Sequence, residues 1–359
     1  MLNVILIRRN RYEKNEQEGM AEVGGCFPYL VGRIAHIPHC LWGRQRTSLP
    51  EPAPGEEPDN DEPTGPASQV WMTTDLSAAG LLAVYHAVGR QATGRVAVKI
   101  STGEPGGHHY LQPSLIADLV HEVNGTIVEC NTAYQGGRSD STSHWQAIRD
   151  HGFLDIANVD LMDEKGEMQL PVQDTTHIQY NLVGSHLANY DFLINLAHFK
   201  GHAIAGFGGV LKNQSIGIAS RRGKTNIHSA GRTQDVSRLW NTMASQNDFT
   251  ESMAAAAQSV AEYFGDRILY INVMNNLSVD CDCDSNPAAP EMQDIGILAS
   301  TDPVALEQAC LDLVYAVTPT DGNNNRPLIQ RIESRGGAHV VEYAERIGLG
   351  SRIYEVIQI

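Results

Sequence analysis

The run DFLINLA, from Asp191 to Ala197, constrains this chain more than any other stretch: it is apolar almost throughout and stops abruptly at His198-Phe199-Lys200-Gly201-His202. A strand without polar alternation is buried on both faces, the condition of a parallel strand covered by helices. VAVKIS (Val96 to Ser101), TIVEC (Thr126 to Cys130), RILYINVMN (Arg267 to Asn275) and DIGILAS (Asp294 to Ser300) are further strand candidates. Between them lie helical stretches. PSLIADLVHEV opens with Pro113, SHWQAIRDHG closes at Gly152, and the alanine-rich DFTESMAAAAQSVAEYFG closes at Gly265. STDPVALEQACLDLVYAV carries a cap residue, Asp302, before Pro303 in the first turn. The segment from Arg326 onward predicts two helices and a final strand. Strands alternating with helices give an α/β fold with a mostly parallel sheet flanked by helices, expected as two lobes. The lobes are placed at 69–232 and 266–359, joined by helices over 234–265.

The N-terminal part has a different composition. Residues 49–67, LPEPAPGEEPDNDEPTGPA, are acidic and Pro-rich, with too little apolar surface to offset the entropy of ordering. Residues 1–68 are therefore expected to be a poorly ordered appendage ending in a linker, and 69–359 the α/β domain. The net charge of −16 argues against general affinity for nucleic acid or an anionic membrane, since each phosphate contact requires a cation. No apolar stretch is long enough for a membrane span. The opening MLNVILIRRNRYEKNEQ places its apolar run before its charges, the reverse of a secretory leader, so a cytoplasmic protein is expected. The six cysteines are then expected as reduced thiols, in metal binding or core packing rather than a disulfide frame.

In an open α/β sheet, ligands gather beyond the carboxyl ends of the strands. His198 and His202 are predicted at such an end, as candidate acid/base groups. Gly206, Gly208 and Gly209 follow and would let backbone N–H groups approach an anion, with Lys212 arriving in the next helix as a positive charge. The same pattern also suits satisfied loop histidines and a tight turn. ASRRGKTNIHSAGR, Ala219 to Arg232, concentrates Arg221, Arg222, Lys224 and Arg232 in an acidic protein, pointing either to a small anionic metabolite or to a solvated loop. STGEPGGHHYLQP, from Ser101, places Glu104, His108 and His109 after a strand, with at most one histidine facing a site. SVDCDCDSNP, from Ser278, sets Cys281 and Cys283 among three aspartates as half of a soft-metal site. Cys310 sits on an apolar helix face and is expected in the core.

Together, HFKGHAIAGFGGVLKNQSIGIASRRGK, NNLSVDCDCD and DIGILASTDPVALEQACLDL resemble the domain-of-unknown-function family 362, over about Val70 to Ile359. Some members of that family carry iron-sulphur clusters in a ferredoxin-like cassette. Here no cysteine lies between Lys224 and Arg267, so the cassette is absent. His202-x3-Gly206-Phe207-Gly208-Gly209-x2-Lys212, with His228 following, is more distantly similar to the central motif of nickel-dependent lactate racemases. That resemblance implies His202 as acid/base, Lys212 as the lysine that tethers a nickel pincer nucleotide or faces its phosphate, and His228 as a metal ligand. Ser101-Thr102-Gly103-Glu104 echoes the early loop, with Glu104 where a basic substrate-binding residue would be expected. A racemase needs a second acid/base; the candidates are His108, His109 and His144.

Three readings follow. The first is a metal- or cofactor-dependent enzyme, an isomerase or oxidoreductase moving a proton or hydride on a small anionic substrate, with Lys212, Lys224 and the glycines at the cofactor and His228 on the metal. The second is a non-catalytic metal or iron-sulphur accessory protein built on Cys281 and Cys283. The third is a metabolite-binding module.

Overall fold

The computed structural model describes Val4–Ile5 and residues 67–359. The expectation of an appendage over 1–68 falls almost wholly outside the described residues. The strands are β1 (Val4–Ile5), β2 (Ser68–Thr73), β3 (Val96–Lys99), β4 (Thr126–Glu129), β5 (Val159–Leu161), β6 (Glu167–Pro171), β7 (Tyr180–Gly184), β8 (Phe192–His198), β9 (Lys200–His202), β10 (Gly206–Gly208), β11 (Ile268–Met274), β12 (Gly296–Ser300) and β13 (Tyr354–Gln358). The α-helices are α1 (Ala78–Val88), α2 (Pro113–Glu122), α3 (Ser141–Asp150), α4 (Val210–Ser215), α5 (Arg221–His228), α6 (Gln246–Phe264), α7 (Pro303–Ala316), α8 (Arg326–Ser334) and α9 (His339–Arg346).

Nine strands form one sheet in the order β1-β13-β2-β12-β11-β8-β3-β4-β5. The run β11-β8-β3-β4-β5 is parallel, and β12 is antiparallel to both its neighbours. The fold is the expected α/β arrangement. Strands from the two expected lobes are direct neighbours here, β11 pairing with β8 from Ile268↔Leu193 to Val273↔His198.

The alternation within β8 shows why its sequence is apolar on both sides. Phe192, Ile194 and Leu196 enter one core layer, and Leu193 and Ala197 enter the other. β11 does the same, with Leu269, Ile271 and Val273 opposite Ile268, Tyr270 and Met274. Each strand thus needs helices over both faces. Local signals set the helix ends. Asp302 accepts from the Val304 and Ala305 N–H groups at 2.8 and 3.0 Å, and Pro303 follows at N1. Gly265 ends α6 at φ 57°, and α3 starts at Ser141, two residues before the expected start, because Asp140 caps it.

Residues 198–212 are more ordered than the loop expected there. β9 and β10 pair as an antiparallel ribbon, with His202 opposite Gly206, and α4 follows at once. Asn195, fully buried in β8, donates to the Val210 carbonyl at 2.9 Å and accepts from Asn213 at 2.7 Å. Asn213 also donates to the Lys99 carbonyl at 3.0 Å. These bonds fix α4, and with it Lys212, over the ends of β3 and β8.

Candidate active site

A cavity of about 420 Å³ opens beyond the carboxyl ends of the parallel strands. Lys99 closes β3, Glu129 closes β4 and His198 closes β8, and all three side chains line it. This is the position an open α/β sheet reserves for ligands. The rest of the wall includes residues of β9, β10 and the turn between them, α4, α5, the loop before α3, Leu239 and Trp240, and the cysteine loop after β11.

One side of the wall is a chain of buried charges. Lys99 Nζ lies 2.9 Å from Glu129 Oε2, Arg138 Nη1 lies 3.2 Å from Glu129 Oε1, and Arg138 Nε lies 3.0 Å from Glu104 Oε2. Burial alone would raise the Glu129 carboxyl, but Lys99 and Arg138 outweigh it and hold Glu129 at about 2. Glu104 also accepts from Tyr134 at 3.0 Å, so its role is to fix Arg138. None of these charges is left over for a ligand.

Two other cations are. Lys212 is half-buried on α4 and lines the cavity, and its ammonium has no hydrogen bond or ion pair among the described residues. Burial, followed by the nearby Arg138 and Lys99, lowers it to about 8. Lys224 on α5 is buried, donates only to the Ala219 carbonyl at 2.5 Å, and is also lowered, chiefly by burial. The arginines around Lys224 do not join it. Arg221 donates to the Thr132 carbonyl at 3.0 Å, Arg222 pairs with Glu167 at 2.6 Å, and Arg232 pairs with Asp248 at 3.3 Å.

Of the three histidines that line the cavity, His202 and His228 hold opposite tautomers. His202 Nδ1 accepts backbone N–H groups from Ile204 at 3.1 Å and Ala205 at 2.9 Å. With that lone pair engaged, the neutral ring carries its proton on Nε2. Burial first, then Lys212 and His228, lowers this ring well below the ordinary histidine range. His228 is the reverse: Nδ1 lies 2.7 Å from the Lys224 carbonyl, which can only accept, so Nε2 keeps a free lone pair. Burial lowers His228 to about 4, and its ring stacks on Phe249 at 4.7 Å. The cavity thus holds one imidazole donor and one imidazole acceptor, both neutral at pH 7.

His198 belongs to a different task. Its Nδ1 lies 3.1 Å from Asp282 and its Nε2 lies 2.7 Å from the Asn275 carbonyl, so neither nitrogen is open to substrate. Lys200, 1 % exposed, is ion-paired to the other oxygen of Asp282. Burial would raise that carboxyl; Lys200 and His198 together drive it well below the usual range. Asp280 is held in turn by Arg331 at 3.0 Å. Two residues of the His-Phe-Lys-Gly-His motif therefore fasten the cysteine loop over the third, His202.

The cysteines of that loop form a disulfide, Cys281–Cys283, in place of the expected reduced thiols. Nothing local prevents the bond: the pinned loop brings the two sulfurs to one point in the wall. Cys130 and Cys310 are free and buried, Cys310 in the core as expected. The ligating atoms of His202, Cys281 and Cys283 lie within 4.8 Å of one another. Imidazole with two thiolates is a donor set for a soft or borderline cation. It becomes one only on reduction, since joined sulfurs carry no charge to offer, and the Nδ1 lone pair of His202 is already spent on backbone.

Other candidates are placed elsewhere. His108, expected as a catalytic group, is exposed, bonds Gly106 O at 3.2 Å and does not line the cavity that His202 and His228 share. His144 is fully buried between Thr102 and Asn131, both at 3.1 Å, as a structural residue. Gly206, at φ 82°, lets the ribbon pass Gly337 and the Ile332 carbonyl, where an added Cβ would lie 2.9 and 3.0 Å from neighbouring atoms. Gly209 leaves room for the Glu307 carboxyl, which accepts from the Leu211 N–H at 2.8 Å and so fills the start of α4 from inside. Both glycines serve packing; Gly209 also lines the cavity with Gly208, which stands beside Lys212. Lys99, Glu129 and Arg138 were not singled out in the sequence, and Asp282, read there beside the cysteines as part of a metal half-site, instead pairs with His198 and Lys200. A lysine and a glutamate ending otherwise apolar strands were the available signal.

The family model described as Domain of unknown function (DUF362) matches residues 96–312, the span holding every cavity residue named above. The chain belongs to this family. No curated protein matches it. Among solved structures, the DUF362 chain is similar to the lactate racemase apoprotein from Thermoanaerobacterium thermosaccharolyticum, at 13% identity and TM-score 0.39, covering 68% of this chain and 56% of that one. It is also similar to a structural-genomics target from Thermotoga maritima, at 12% identity and TM-score 0.37, covering 75% of this chain and 58% of that one. The chain therefore spans under two thirds of the length of either, and at these scores neither supports a role for any residue. No described helix of this DUF362 protein is long and apolar enough to cross a membrane.

Proposed function

We propose that the cavity is the active site of an enzyme, acting in the cytoplasm, that moves a proton on a small anionic metabolite such as a carboxylate. The observation that carries this reading is the pair of opposite tautomers, His202 and His228, in one cavity with two cations that lack a carboxylate partner. Lys212 and Lys224 supply charge for the anion. His228 Nε2 is the base, and His202 Nε2–H is the donor to an oxygen on which charge develops. A neutral imidazole serves that last role well, because its N–H polarises without giving up a full proton. Low dielectric in the buried wall strengthens each of these interactions.

A hydride route would need a bound cofactor as acceptor, a part that protein side chains do not supply. Lys212 and Lys224 are the residues to face such a group. Metal ligation by Cys281 and Cys283 with His202 is a second reading, favoured by the convergence of the three donors, and it applies to the reduced protein.

The test is a calorimetric and deuterium-exchange panel of 2-hydroxy, 2-oxo and dicarboxylic acids on the full chain. A hit binds wild type, exchanges a carbon-bound hydrogen with solvent, and loses affinity at least 10-fold in Lys212→Ala. Binding without exchange in any condition leaves a binding module in place of the enzyme. Anions that bind equally well to Lys212→Ala remove the assignment of the cavity.

A further inference from the structure

The disulfide lies in the cavity wall, and its two sulfurs are not equivalent. Cys281 is 8 % exposed, whereas Cys283 is more open and also lines the cavity. The Cys283 backbone N–H donates to Cys281 Sγ at 3.2 Å, and a ring nitrogen of His202 lies within 4.8 Å of both sulfurs. Since His202 Nδ1 is occupied by two backbone N–H groups, the hydrogen the ring has left to offer is the one on Nε2. Negative charge is therefore better received on Cys281, and an incoming nucleophile has better access to Cys283.

A structural role explains the bond poorly. Cross-linking across one intervening residue closes a minimal loop and removes little freedom from the unfolded chain. The loop is already fixed by other means: Asp282 between His198 and Lys200, Asp280 on Arg331, and the Gly201 N–H on the Ser278 carbonyl at 2.8 Å. Those anchors do not involve sulfur, so they hold both thiols in register when the bond is open.

We propose that Cys281–Cys283 is a redox-active couple that undergoes thiol–disulfide exchange with a small dithiol entering the cavity. The proposal goes beyond the enzyme reading and does not depend on it. A thiolate of the reductant attacks Cys283 Sγ, forming a mixed disulfide as the Cys281–Cys283 bond breaks. Cys281 leaves with the electron pair as a thiolate, bonded by the Cys283 N–H and facing His202. The second thiol of the reductant, after losing its proton, attacks its own sulfur in the mixed disulfide and expels Cys283 as a thiolate. The two protons lost by the reductant end on the two cysteines. In sum, the protein disulfide gains two electrons and two protons, and the dithiol becomes a disulfide. Buried Cys130, bonded to the Ile218 carbonyl at 3.2 Å, and buried Cys310 stay out of the exchange.

The experiment uses the full native chain, air-oxidised and without denaturant. Dithiothreitol followed by N-ethylmaleimide and intact mass is expected to add two maleimides, both mapping to the 281–283 peptide. Glutathione, quenched with acid and maleimide, is expected to place glutathione on Cys283 and maleimide on Cys281. His202→Phe is expected to slow the exchange at least 10-fold. A bond that opens only in denaturant, a pair that stays free thiol in air, or glutathione found on Cys281 overturns the proposal. An exchange rate unchanged in His202→Phe removes His202 from it. Mapping on wild-type protein needs no variant to fold, and none of these readouts involves turnover of a metabolite, so this proposal and the enzyme reading fail separately.

Discussion

His202 and His228 present opposite ring nitrogens to one cavity: His202 Nδ1 is held by two backbone N–H groups, and His228 Nδ1 gives its proton to the Lys224 carbonyl at 2.7 Å. The backbone decides which ring donates and which accepts. His228→Gln, which cannot reproduce a basic ring nitrogen, is expected to reduce solvent deuterium exchange into a bound substrate by about 10²-fold or more. His202→Gln keeps an N–H donor and is expected to lose less. Equal losses in the two variants, measured by mass spectrometry of the substrate, would remove the distinction between base and donor.

Anion affinity should depend on pH through Lys212. Burial, Arg138 and Lys99 hold that ammonium at about 8, so it loses its charge as pH rises through 8. The expected result is a dissociation constant flat from pH 6 to 7.5 that rises toward pH 9. Lys212→Arg, charged throughout that range, should flatten the profile while leaving the affinity at pH 7 within about 10-fold, the equivalent of 1.4 kcal/mol. Calorimetry across the range checks it.

Acid should destabilise the fold in two stages. His228, at about 4, and His144, at about 3, are both lowered mainly by burial, so the folded chain resists protons that the unfolded chain accepts near 6.5. Their contribution is complete above pH 6.5 and falls as pH drops toward 4 and 3. Glu129, at about 2 against 4.5 when unpaired, adds a loss that begins below pH 5. His144→Asn should reduce the slope of the melting temperature between pH 6.5 and 4. An unchanged slope in that variant would place the acid sensitivity elsewhere.

Asp282→Asn is expected to cost about 3–5 kcal/mol in urea unfolding, because it leaves Lys200, 1 % exposed, as a buried charge without its carboxylate. Asp284→Asn, on the exposed side of the same loop, should fall within about 0.5 kcal/mol of wild type. Similar losses in both would mean that the ion pair does not fasten the loop.

Much of this architecture was legible in the sequence because burial writes itself into periodicity. Asp191 to Ala197 lacks polar alternation since helices cover both faces of β8, and Asp302-Pro303 and Gly265 mark helix ends by their own backbone chemistry. His202, Lys212 and His228 could be located from their spacing around a strand end. What the spacing could not give was the choice between equivalent-looking groups. His198 and His202 differ only in what lies across from them, Asp282 in one case and the Ile204 and Ala205 amides in the other. Asp282 is 84 residues from His198, and no local pattern joins them. The disulfide was hidden for a related reason: a Cys-x-Cys pair reads equally as two metal ligands or one bond until the loop that carries it is fixed. The ribbon of β9 and β10 was missed because three-residue strands rich in glycine carry no apolar period.

Glu307 has a bearing on selectivity. By occupying the first turn of α4 from the core side, it leaves the cavity without the rigid amide geometry that measures a phosphate or carboxylate by shape. On the proposed reading, recognition would fall chiefly to Lys212, whose ammonium has no partner among the described residues and sits on a flexible four-carbon stem, with Lys224 held at the Ala219 carbonyl beside it. On that reading the site would discriminate by charge and by where its imidazoles stand, and would tolerate differences in chain length among its ligands.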